Sequence, residues 1–300
     1  MSHIIFENDI GTLSFSGDRS ASLAISEIIG LGTPEKNYQT RNYIGFDGQS
    51  TISSQFLPRT ITMAFDIVSG DVSEISSKIY RVFSRGGTLY VDFKNGTRRI
   101  EVNQITVDSF TPHGTTLRSF VVQFVCDNPY FSDDIPVLKP CYETVKNIKY
   151  DTESQSWNLS TPIVWGTNNN DVILVNSGDS RVYPTLTVHS FGNADNDNGI
   201  ELIRVNPHNP EEVLQRFAIT HQLSDGEVIT FCFNQRSDLN RRYIKSSLGT
   251  NLLNTRTEDS SLADFFLEPG ENRIILNNLS TGNILSASIS YDNQYVEGVY

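Results

Sequence analysis

The chain has 300 residues, of which 38% are hydrophobic and 19% are charged, a composition typical of one large or two medium globular domains. Its net charge of −12 lies mostly in the second half, because residues 1–132 carry 11 basic and 13 acidic side chains whereas residues 133–300 carry 12 and 22. A surface this acidic repels phosphate backbones, so the composition argues against binding to nucleic acid.

The amino terminus has none of the features of a secretory signal. Its first ten residues contain two acidic side chains, and no basic start is followed by a long apolar run. No apolar stretch of the chain approaches the roughly 20 residues that a membrane span needs. We therefore expect a soluble protein without membrane insertion.

One segment of the first half, residues 69–87, has a helical period. Its apolar stripe and flanks are Val72, Ile75, Ile79, Val82 and Phe83. Asp71 or Ser69 is expected to cap the start of the helix, and Gly86 to close its end in a left-handed conformation. The pattern predicts a single amphipathic helix that lies on a sheet.

A hairpin is predicted after this helix, from Thr88 to about Val107. The dipeptide Asn95-Gly96 suits a type I′ turn between T-L-Y-V-D-F and R-R-I-E-V. Ile100 and Val102 share one parity, whereas Ile105 and Val107 have the other. Because one extra residue changes parity, we expect a β-bulge or a strand bend at Asn103-Gln104.

The stretch from Phe120 to Phe131, F-V-V-Q-F-V-C-D-N-P-Y-F, predicts a strand that ends at a corner. One face of the strand would hold Val122, Phe124 and Cys126, and the other would hold Val121, Gln123 and Val125. Asn128-Pro129 should stop the pairing, because proline has no backbone N–H and restricts the residue before it. We interpret this strand as the last of the first domain, and we expect Tyr130 and Phe131 to serve in packing.

The second half changes character after a short link that contains proline, S-D-D-I-P-V-L-K-P-C. Short strands separated by polar, glycine-containing turns are predicted at 184–192, 199–206, 227–234, 272–278 and 284–291. This spacing favours an antiparallel sandwich or a jelly roll. The chain is therefore predicted to form two β-rich domains, residues 1–132 and 133–300.

The sequence contains no catalytic motif. The five histidines (His3, His113, His189, His208 and His221) have no metalloprotease spacing, and there is no phosphate-binding loop or nucleophile elbow. His189 is expected to be a partly exposed strand residue. The three cysteines, Cys126, Cys141 and Cys232, are too widely spaced for a zinc site or a disulfide framework. We predict no enzyme, no cofactor, and no catalytic, cofactor-binding or metal-ligating residue.

Residues 192–199, G-N-A-D-N-D-N-G, have part of the spacing of a calcium-binding loop. Asn193, Asp195 and Asp197 lie at its first, third and fifth positions, but Asn198 replaces the required glycine and Arg204 the final glutamate. A solvated turn is the preferred interpretation, because Asn and Asp tolerate left-handed backbone.

Carbohydrate binding stays open as an alternative for the second domain, because β-sandwiches can carry aromatic platforms for sugars. Trp157 and Trp165, which flank N-L-S-T-P-I-V, are the two tryptophans of the chain. Core packing is the preferred interpretation of both.

The order of short motifs along the chain carries a family resemblance. They are I-G-L-G-T-P (29–34), F-D-G-Q (46–49), P-R-T-I (58–61), the helix, G-G-T-L-Y (86–90), R-R-I-E-V, F-V-C-D-N-P-Y-F, N-S-G-D (176–179), D-G-E (225–227), F-L-E-P-G-E-N (266–272) and Y-V-E-G-V-Y (295–300). This succession resembles the distal tail proteins (Dit) of siphophages, the siphovirus tail component family. The resemblance covers essentially the whole chain.

The resemblance implies a mainly β structural protein of the virion, made in the host cytoplasm and located at the phage tail tip or baseplate. The N-terminal domain would be a β-sandwich or split-barrel belt with one α-helix that forms a homohexameric ring. The C-terminal domain would be a galectin-like antiparallel β-sandwich. Such a ring joins the tail tube protein to the tail-tip hub and can anchor receptor-binding proteins.

Two hypotheses follow for this chain. In the first, a nearly neutral first domain packs into the ring and the acidic second domain faces outward, which would keep the assembly soluble. In the alternative, the protein is a carbohydrate-binding adaptor of the tail tip that acts through the C-terminal sandwich.

Overall fold

The computed structural model describes residues 3–18, 21–42, 47–110, 118–143, 146–151, 156–164, 170–234, 242–281 and 283–296. The elements of the first half are β1 (His3–Glu7), β2 (Thr12–Ser16), β3 (Leu23–Ile29), β4 (Lys36–Asn42), β5 (Gln49–Phe56), β6 (Arg59–Ile67), α1 (Val72–Val82), β7 (Gly87–Phe93), β8 (Gly96–Val102), β9 (Gln104–Phe110), β10 (Arg118–Cys126) and β11 (Phe131–Asp133).

The second half continues in strands, with one short 3-10 helix at Leu253–Thr255. Its strands are β12 (Val137–Glu143), β13 (Lys146–Asp151), β14 (Ser156–Val164), β15 (Asp171–Asn176), β16 (Thr185–Phe191), β17 (Ile200–Asn206), β18 (Asn209–Ile219), β19 (Val228–Cys232), β20 (Tyr243–Ser246), β21 (Gly270–Asn278), β22 (Ile284–Tyr291) and β23 (Gln294–Tyr295).

The chain divides into two compact units, which we call the N-terminal unit (Met1–Asp134 with Gln294–Tyr300) and the C-terminal unit (Ile135–Asn293). The carboxyl-terminal residues therefore group with the first unit, whereas the sequence placed everything after residue 132 in the second domain. The reason is a strand pair: β23 is antiparallel to β11, with Tyr295 opposite Phe131. The chain leaves the N-terminal unit and returns to it along neighbouring strands.

The N-terminal unit contains one ten-stranded sheet in the order β23-β11-β8-β7-β1-β2-β3-β6-β10-β9, and a separate two-stranded sheet, β4-β5. Neighbours in the large sheet are antiparallel except β2 and β3, which meet in a parallel pair at Ser16 and Ala24. The predicted mainly β fold is confirmed, and the described strands form no closed barrel.

The core of this unit comes from the alternation that its strands carry in sequence. In β6, every second residue is buried, and the residues between them are half-buried or exposed. The buried apolar side chains of β6 and its neighbour β10 are Ile61, Met63, Phe65, Ile67, Phe120, Val122, Phe124 and Cys126. Of the two faces predicted for β10, the one that holds Val122, Phe124 and Cys126 is buried in this core.

Helix α1 begins as predicted at Asp71, whose carboxylate accepts hydrogen bonds from the amides of Ser73 (2.8 Å) and Glu74 (3.2 Å). Ile79 and Val82 are buried, whereas Val72, predicted at the flank of the stripe, is 36% exposed. Val72 is the first helical residue, where the helix has barely reached the core.

Gly86 does not close the helix in a left-handed conformation, which corrects that prediction. The last helical residue is Val82, and the C-cap residue Phe83 has a φ of −76°. A Cβ on Gly86 would lie 2.5 Å from the carbonyl oxygen of Val102. Glycine is required here for close approach of two backbone segments, not for a positive φ.

The hairpin after the helix consists of β7 and β8, and its turn lies one residue earlier than predicted. Phe93 pairs with Gly96, so Lys94 and Asn95 form the two-residue loop. This register places Asp92 opposite Thr97, whose hydroxyl donates to the Asp92 carboxylate at 2.6 Å. The second strand of the hairpin also ends earlier than predicted, at Val102.

The bend predicted near Asn103 is confirmed. β8 pairs with β7 and ends at Val102, whereas β9 starts at Gln104 and pairs with β10. Asn103 lies between them, where its amide donates to the Val125 carbonyl and its side chain accepts from the Asp127 amide, both at 2.9 Å. The inward parity changes at this residue, as expected.

Strand β10 stops pairing at Cys126, as the Asn128-Pro129 corner predicted, but it is not the last strand of its unit. β11 follows and pairs with β8 and β23. Most of the predicted link is also strand, because β11 and β12 occupy it. Pro140 is tolerated in β12 because this edge strand has a register shift next to it.

The C-terminal unit is an antiparallel sandwich. A five-stranded sheet, β12-β22-β16-β19-β20, and a four-stranded sheet, β15-β21-β17-β18, contribute to one core, and β13 pairs with β14 separately. The five strands predicted from the sequence are confirmed as β16, β17, β19, β21 and β22. Within the described residues, no helix is long and apolar enough to cross a membrane.

Candidate assembly surface

Strands β4 and β5, which we call the arm, form a two-stranded sheet that pairs with no other described strand. All of their side chains are exposed except that of Phe56, which is half-buried. Tyr38 and Ile52 are 57% and 65% exposed, and the charged residues of the two strands are Lys36 and Arg41, both basic. An isolated two-stranded hairpin is at best marginally stable in water, so the arm presents a surface that a partner would stabilise.

The root of the arm is fixed by Arg59, the first residue of β6, which is 2% exposed. Its Nη1 donates to the carbonyl oxygens of Gly30 (2.7 Å) and Gly32 (2.5 Å), in the segment between β3 and the arm. Its Nε donates to the carbonyl oxygen of Pro129 at 2.7 Å, and its Nη2 to that of Val296 at 2.5 Å. One guanidinium therefore joins the root of the arm to the corner after β10 and to the segment after β23.

Local packing explains why the chain folds this way around Arg59. The guanidinium lies 4.6 Å from the ring centre of Phe131, a cation–π contact that partly compensates for its burial. Gly30 has a φ of +95°, and a Cβ there would lie 2.2 Å from the Thr60 carbonyl oxygen. Only glycine fits this close approach, which brings the Gly30 carbonyl to Arg59.

Two further contacts hold the root of the arm. The amide of Leu57 donates to the carbonyl oxygen of Glu35 at 2.8 Å, which joins the two chain segments at the base. The ring of Phe56 packs edge-on against Tyr130, with 5.7 Å between ring centres. The prediction that Tyr130 and Phe131 serve in packing is confirmed, since Phe131 is fully buried.

A second surface of the N-terminal unit is part of the outer side of β6 and β10, formed by the outward side chains of residues 60–64 and 121–125, which we call the uncharged face; Asp66 lies beyond its end, where it accepts a hydrogen bond from Ser119. Its side chains lie opposite one another in three pairs: Thr60 with Val125, Thr62 with Gln123, and Ala64 with Val121. Thr60 and Gln123 are exposed and the others are half-buried. Interface centres are typically depleted of charge, so this face has the composition of a surface that another protein covers.

The returning segment is held by a second buried arginine. The guanidinium carbon of Arg98 lies 3.1 Å from the ring centre of Tyr295, and its Nη1 lies 3.6 Å from the Asp133 carboxylate. The Tyr295 hydroxyl donates to Asp133 at 3.2 Å. Burial raises the pKa of Tyr295 above its usual value, although the hydrogen bond with Arg98 acts in the opposite direction.

The C-terminal unit contains a buried carboxylate, Glu227, which is 1% exposed. It accepts hydrogen bonds from the Ser246 hydroxyl (2.5 Å) and the Ser224 amide (3.0 Å), and His221 Nε2 lies 3.0 Å away. Burial acts to raise the pKa of Glu227, but the hydrogen bonds from Ser246, Ser224 and His221 outweigh it and lower the pKa. Because Ser246 and His221 each contact the carboxylate directly, these hydrogen bonds do not form a relay from histidine to a serine nucleophile.

The histidine, cysteine and tryptophan residues considered in the sequence as candidate sites can be located in part in the structure. His189 is exposed on β16, as predicted. Cys126, Cys141 and Cys232 are buried and free, and burial raises the pKa of the first two to about 12. His113 and Trp165 lie outside the described residues, as does the side chain of Trp157, so the interpretation of both tryptophans stays a prediction.

The Asn- and Asp-rich segment 192–199 is a turn held by hydrogen bonds with Asp225. The Asp225 carboxylate accepts from the Gly192 amide at 2.6 Å, and the Asn193 side chain accepts from the Asp225 amide at 2.9 Å. Among the residues that the structure describes, no three His, Cys, Asp or Glu side chains are arranged to hold a metal ion.

Neither the arm nor a role for Arg59 was predicted from the sequence. The available signal was a stretch of polar residues without the alternation of a core strand, K-N-Y-Q-T-R-N and Q-S-T-I-S-S-Q-F, between two of the quoted motifs. Arg59 lay within one of those motifs, P-R-T-I. No pattern in the sequence connects it with residues 129 and 296.

The fold can be compared with that of known proteins. No protein-family profile matches the chain, and no curated protein matches it in sequence. The crystal structure of the SPP1 Dit protein, a paradigm of the hub adsorption apparatus in phages that infect Gram-positive bacteria, is similar over 98% of this chain and 99% of that one, with a TM-score of 0.64 and 10% identity. A chain of the phage P2 baseplate in its activated conformation with Ca is similar over 99% of both chains, with a TM-score of 0.51 and 9% identity. The resemblance predicted from the sequence is therefore confirmed at the level of the fold.

Proposed function

We propose that the protein is a structural component of a phage tail tip, a distal tail protein whose copies form a homohexameric ring between the tail tube protein and the tail-tip hub. It acts in the virion without catalysis, and the ring can anchor receptor-binding proteins. The observation that carries this proposal is the similarity of the fold to SPP1 Dit over nearly the whole of both chains.

The N-terminal unit offers the two different surfaces that a ring needs. A head-to-tail assembly closes only if each subunit presents two complementary patches. The arm is one candidate patch, and the uncharged face is the other. We propose that the arm of one copy lies against the uncharged face of the next.

The chemistry of the two surfaces is compatible with such a contact. Tyr38 and Ile52 supply exposed apolar area on the arm, and Val121 and Val125 supply half-buried apolar area on the face. Lys36 and Arg41 are basic, and the uncharged face carries no side chain that would repel them. A stable contact should bury more than about 1,000 Å².

The uneven charge of the chain supports an arrangement with the C-terminal unit on the outside. Residues 1–132 are nearly neutral, and most of the net charge of −12 belongs to residues 133–300. Six acidic C-terminal units repel one another less when they project into solvent, and their charge opposes aggregation of finished rings.

The proposal is tested by the mass and shape of the purified full-length protein. Light scattering over a concentration series should give a mass six times that of the 33.6 kDa chain, and electron microscopy should show a six-fold ring with a central opening. A monomer at every concentration used for assembly would contradict the proposal.

A pair of matched variants tests the role of the arm. Ile52→Asp places a charge on the arm, whereas Leu248→Asp does the same in the C-terminal unit at nearly equal exposure, 65% against 64%. We expect the first to abolish the ring and the second to leave it intact. If Leu248→Asp disrupted the ring and Ile52→Asp did not, the assembly surface would lie in the C-terminal unit.

The carbohydrate-binding alternative stays a prediction, and no observation on the described residues favours it. Its test is binding of the full-length protein to host cell walls. Sugar platforms use exposed aromatic rings, and Phe191 is the one large aromatic side chain that is more than a third exposed in the described part of the C-terminal unit. If sugar binding were the function, Phe191→Ala, or the replacement of Trp157 or Trp165 by alanine, should weaken retention on the walls while ring formation stayed unchanged.

A further inference from the structure

We propose that Arg59 is a positioning residue that couples the root of the arm to the returning carboxyl-terminal segment. Its guanidinium holds carbonyl oxygens from three places in the chain: Gly30 and Gly32 at the root, Pro129 after β10, and Val296 after β23. The consequence for ring assembly rests on the proposed function of the arm. The coupling itself does not require a ring.

The geometry makes independent movement of these segments costly. A guanidinium is planar and rigid, and its N–H groups point in fixed directions. A rotation that follows the Val296 carbonyl therefore turns Nη1 away from Gly30 and Gly32. Since Arg59 is 2% exposed, water is poorly placed to replace a lost hydrogen bond.

The two coupled segments are otherwise held by different contacts. The root of the arm is closed by the Leu57 amide and the Glu35 carbonyl, and the returning segment is held by Tyr295 against Arg98 and Asp133. Arg59 is the residue whose described hydrogen bonds reach both. A disturbance at Tyr295 should therefore be transmitted to Leu57 through Arg59.

The coupling would link the stability of the arm in a ring to the chain segments that lead to and from the C-terminal unit. The segment after β11 leads out to the C-terminal unit, and the chain comes back from it at β23. Coupling between two sites is reciprocal, so fixing the arm in a ring should steady the β11–β23 pair, and loosening that pair should weaken the arm as a docking element.

The test is amide hydrogen exchange on the full-length protein at a concentration below that of ring assembly. The Leu57 amide reports on the root, and the amides of β11 and β23 report on the returning segment. Tyr295→Leu disturbs the returning segment, and Tyr80→Leu is a matched control, because Tyr80 contacts Ser109 and Phe120 on another part of the unit. We expect Tyr295→Leu, and not Tyr80→Leu, to accelerate exchange at Leu57 by about tenfold or more, the order of a lost charge-assisted hydrogen bond.

A double-variant cycle shows whether Arg59 carries the effect. Arg59→Lys keeps the charge but cannot span all four carbonyl oxygens, so exchange at Leu57 should already be fast in this variant. Adding Tyr295→Leu should then change it by less than about twofold. The proposal would be overturned if Tyr295→Leu left the exchange rate at Leu57 unchanged. It would also be overturned if Tyr295→Leu accelerated that exchange equally in the wild-type protein and in Arg59→Lys. If Arg59→Lys fails to fold, the comparison of Tyr295→Leu with Tyr80→Leu still decides.

The same samples separate this inference from the proposed function. If the wild-type protein never forms a ring but Leu57 responds to Tyr295→Leu, the coupling stands and the assembly role fails. If a ring forms and hydrogen exchange at Leu57 is unchanged in Tyr295→Leu, the assembly role stands and the coupling fails. In a ring, exchange at β23 should also be slower than in the monomer.

Discussion

Each unit of the molecule joins distant segments with a buried charged side chain, but the two units use opposite charges. Arg59 donates to backbone carbonyl oxygens, whereas Glu227 accepts from the Ser224 amide, the Ser246 hydroxyl and His221. A guanidinium keeps its charge at every pH at which the protein is folded, whereas a carboxylate can be neutralised. The contacts of Arg59 should therefore withstand acid, whereas those of Glu227 should not.

The largest effect is expected for Arg59→Met, which keeps much of the volume but leaves four carbonyl oxygens without their donor. We expect the free energy of unfolding of the N-terminal unit to fall by about 3–5 kcal/mol, as when one partner of a buried charged contact is removed. Hydrogen exchange in β6 and β10 during denaturant titration measures it. The matched control is Arg85→Met, whose ion pair with Asp9 is exposed and should contribute less than about 1 kcal/mol. Equal effects of the two variants would refute this account of Arg59.

Glu227→Gln comes next, because glutamine can still accept one hydrogen bond but loses the charge and places an amide near donors. We expect a loss of about 1–3 kcal/mol in the C-terminal unit, measured as a shift in the denaturant midpoint of exchange in β16 and β19. Glu271→Gln, on an exposed part of β21, should change the stability by less than about 0.5 kcal/mol. If Glu227→Gln and Glu271→Gln changed the stability equally, the buried Glu227 would contribute no more to the C-terminal unit than an exposed glutamate.

Acid should distinguish the two contacts directly. The pKa of Glu227 is lowered in the folded protein, so the stabilising contribution of this carboxylate is present above its ordinary value of 4.5 and is lost as the pH falls through the lowered pKa. The stability difference between wild type and Glu227→Gln should therefore shrink below about pH 4.5. The difference between wild type and Arg59→Met should stay constant over the same range. Urea midpoints at three pH values measure both differences. If the difference between wild type and Glu227→Gln stayed constant with pH, the ionised Glu227 carboxylate would not be the stabilising group.

The smallest effect on stability is expected in the arm that Arg59 supports. Ile52→Ala removes an exposed side chain and should change the free energy of unfolding by less than about 0.5 kcal/mol, while the ring weakens. Leu89→Ala in the buried strand β7 removes the same kind of side chain and should cost about 2–5 kcal/mol. Thermal unfolding and light scattering on both variants separate assembly from folding. A large loss of stability from Ile52→Ala would mean that the arm is part of the folded core.

Most strands with a clear pattern could be predicted from the sequence. The helix cap at Asp71, the bend at Asn103 and the faces of β10 follow from local rules, namely side-chain capping, strand parity and the restriction before proline. The turn of the β7–β8 hairpin was misplaced by one residue, because registers that differ by two residues preserve the same alternation and only cross-strand contacts choose between them.

The candidate surface was much less predictable. The arm has no alternation to detect, since neither of its faces meets a core. Arg59 contacts residues that are 70 and 237 positions away in the chain. The boundary of the N-terminal unit was placed two residues early, and its carboxyl-terminal part was assigned to the other domain, because the pairing of β11 with β23 joins segments that share no local signal.

The sequence by itself determined the β-rich class, the helix capped by Asp71, the order of the principal strands and the concentration of acidic charge in the second half, because periodicity, capping and composition are properties of neighbouring residues. Only the tertiary structure decided that residues 294–296 complete the first unit, that Gly86 and Gly30 are needed for close approach, and that one arginine joins the arm to the returning chain. These features depend on contacts between distant segments, whose geometry is fixed when the core forms.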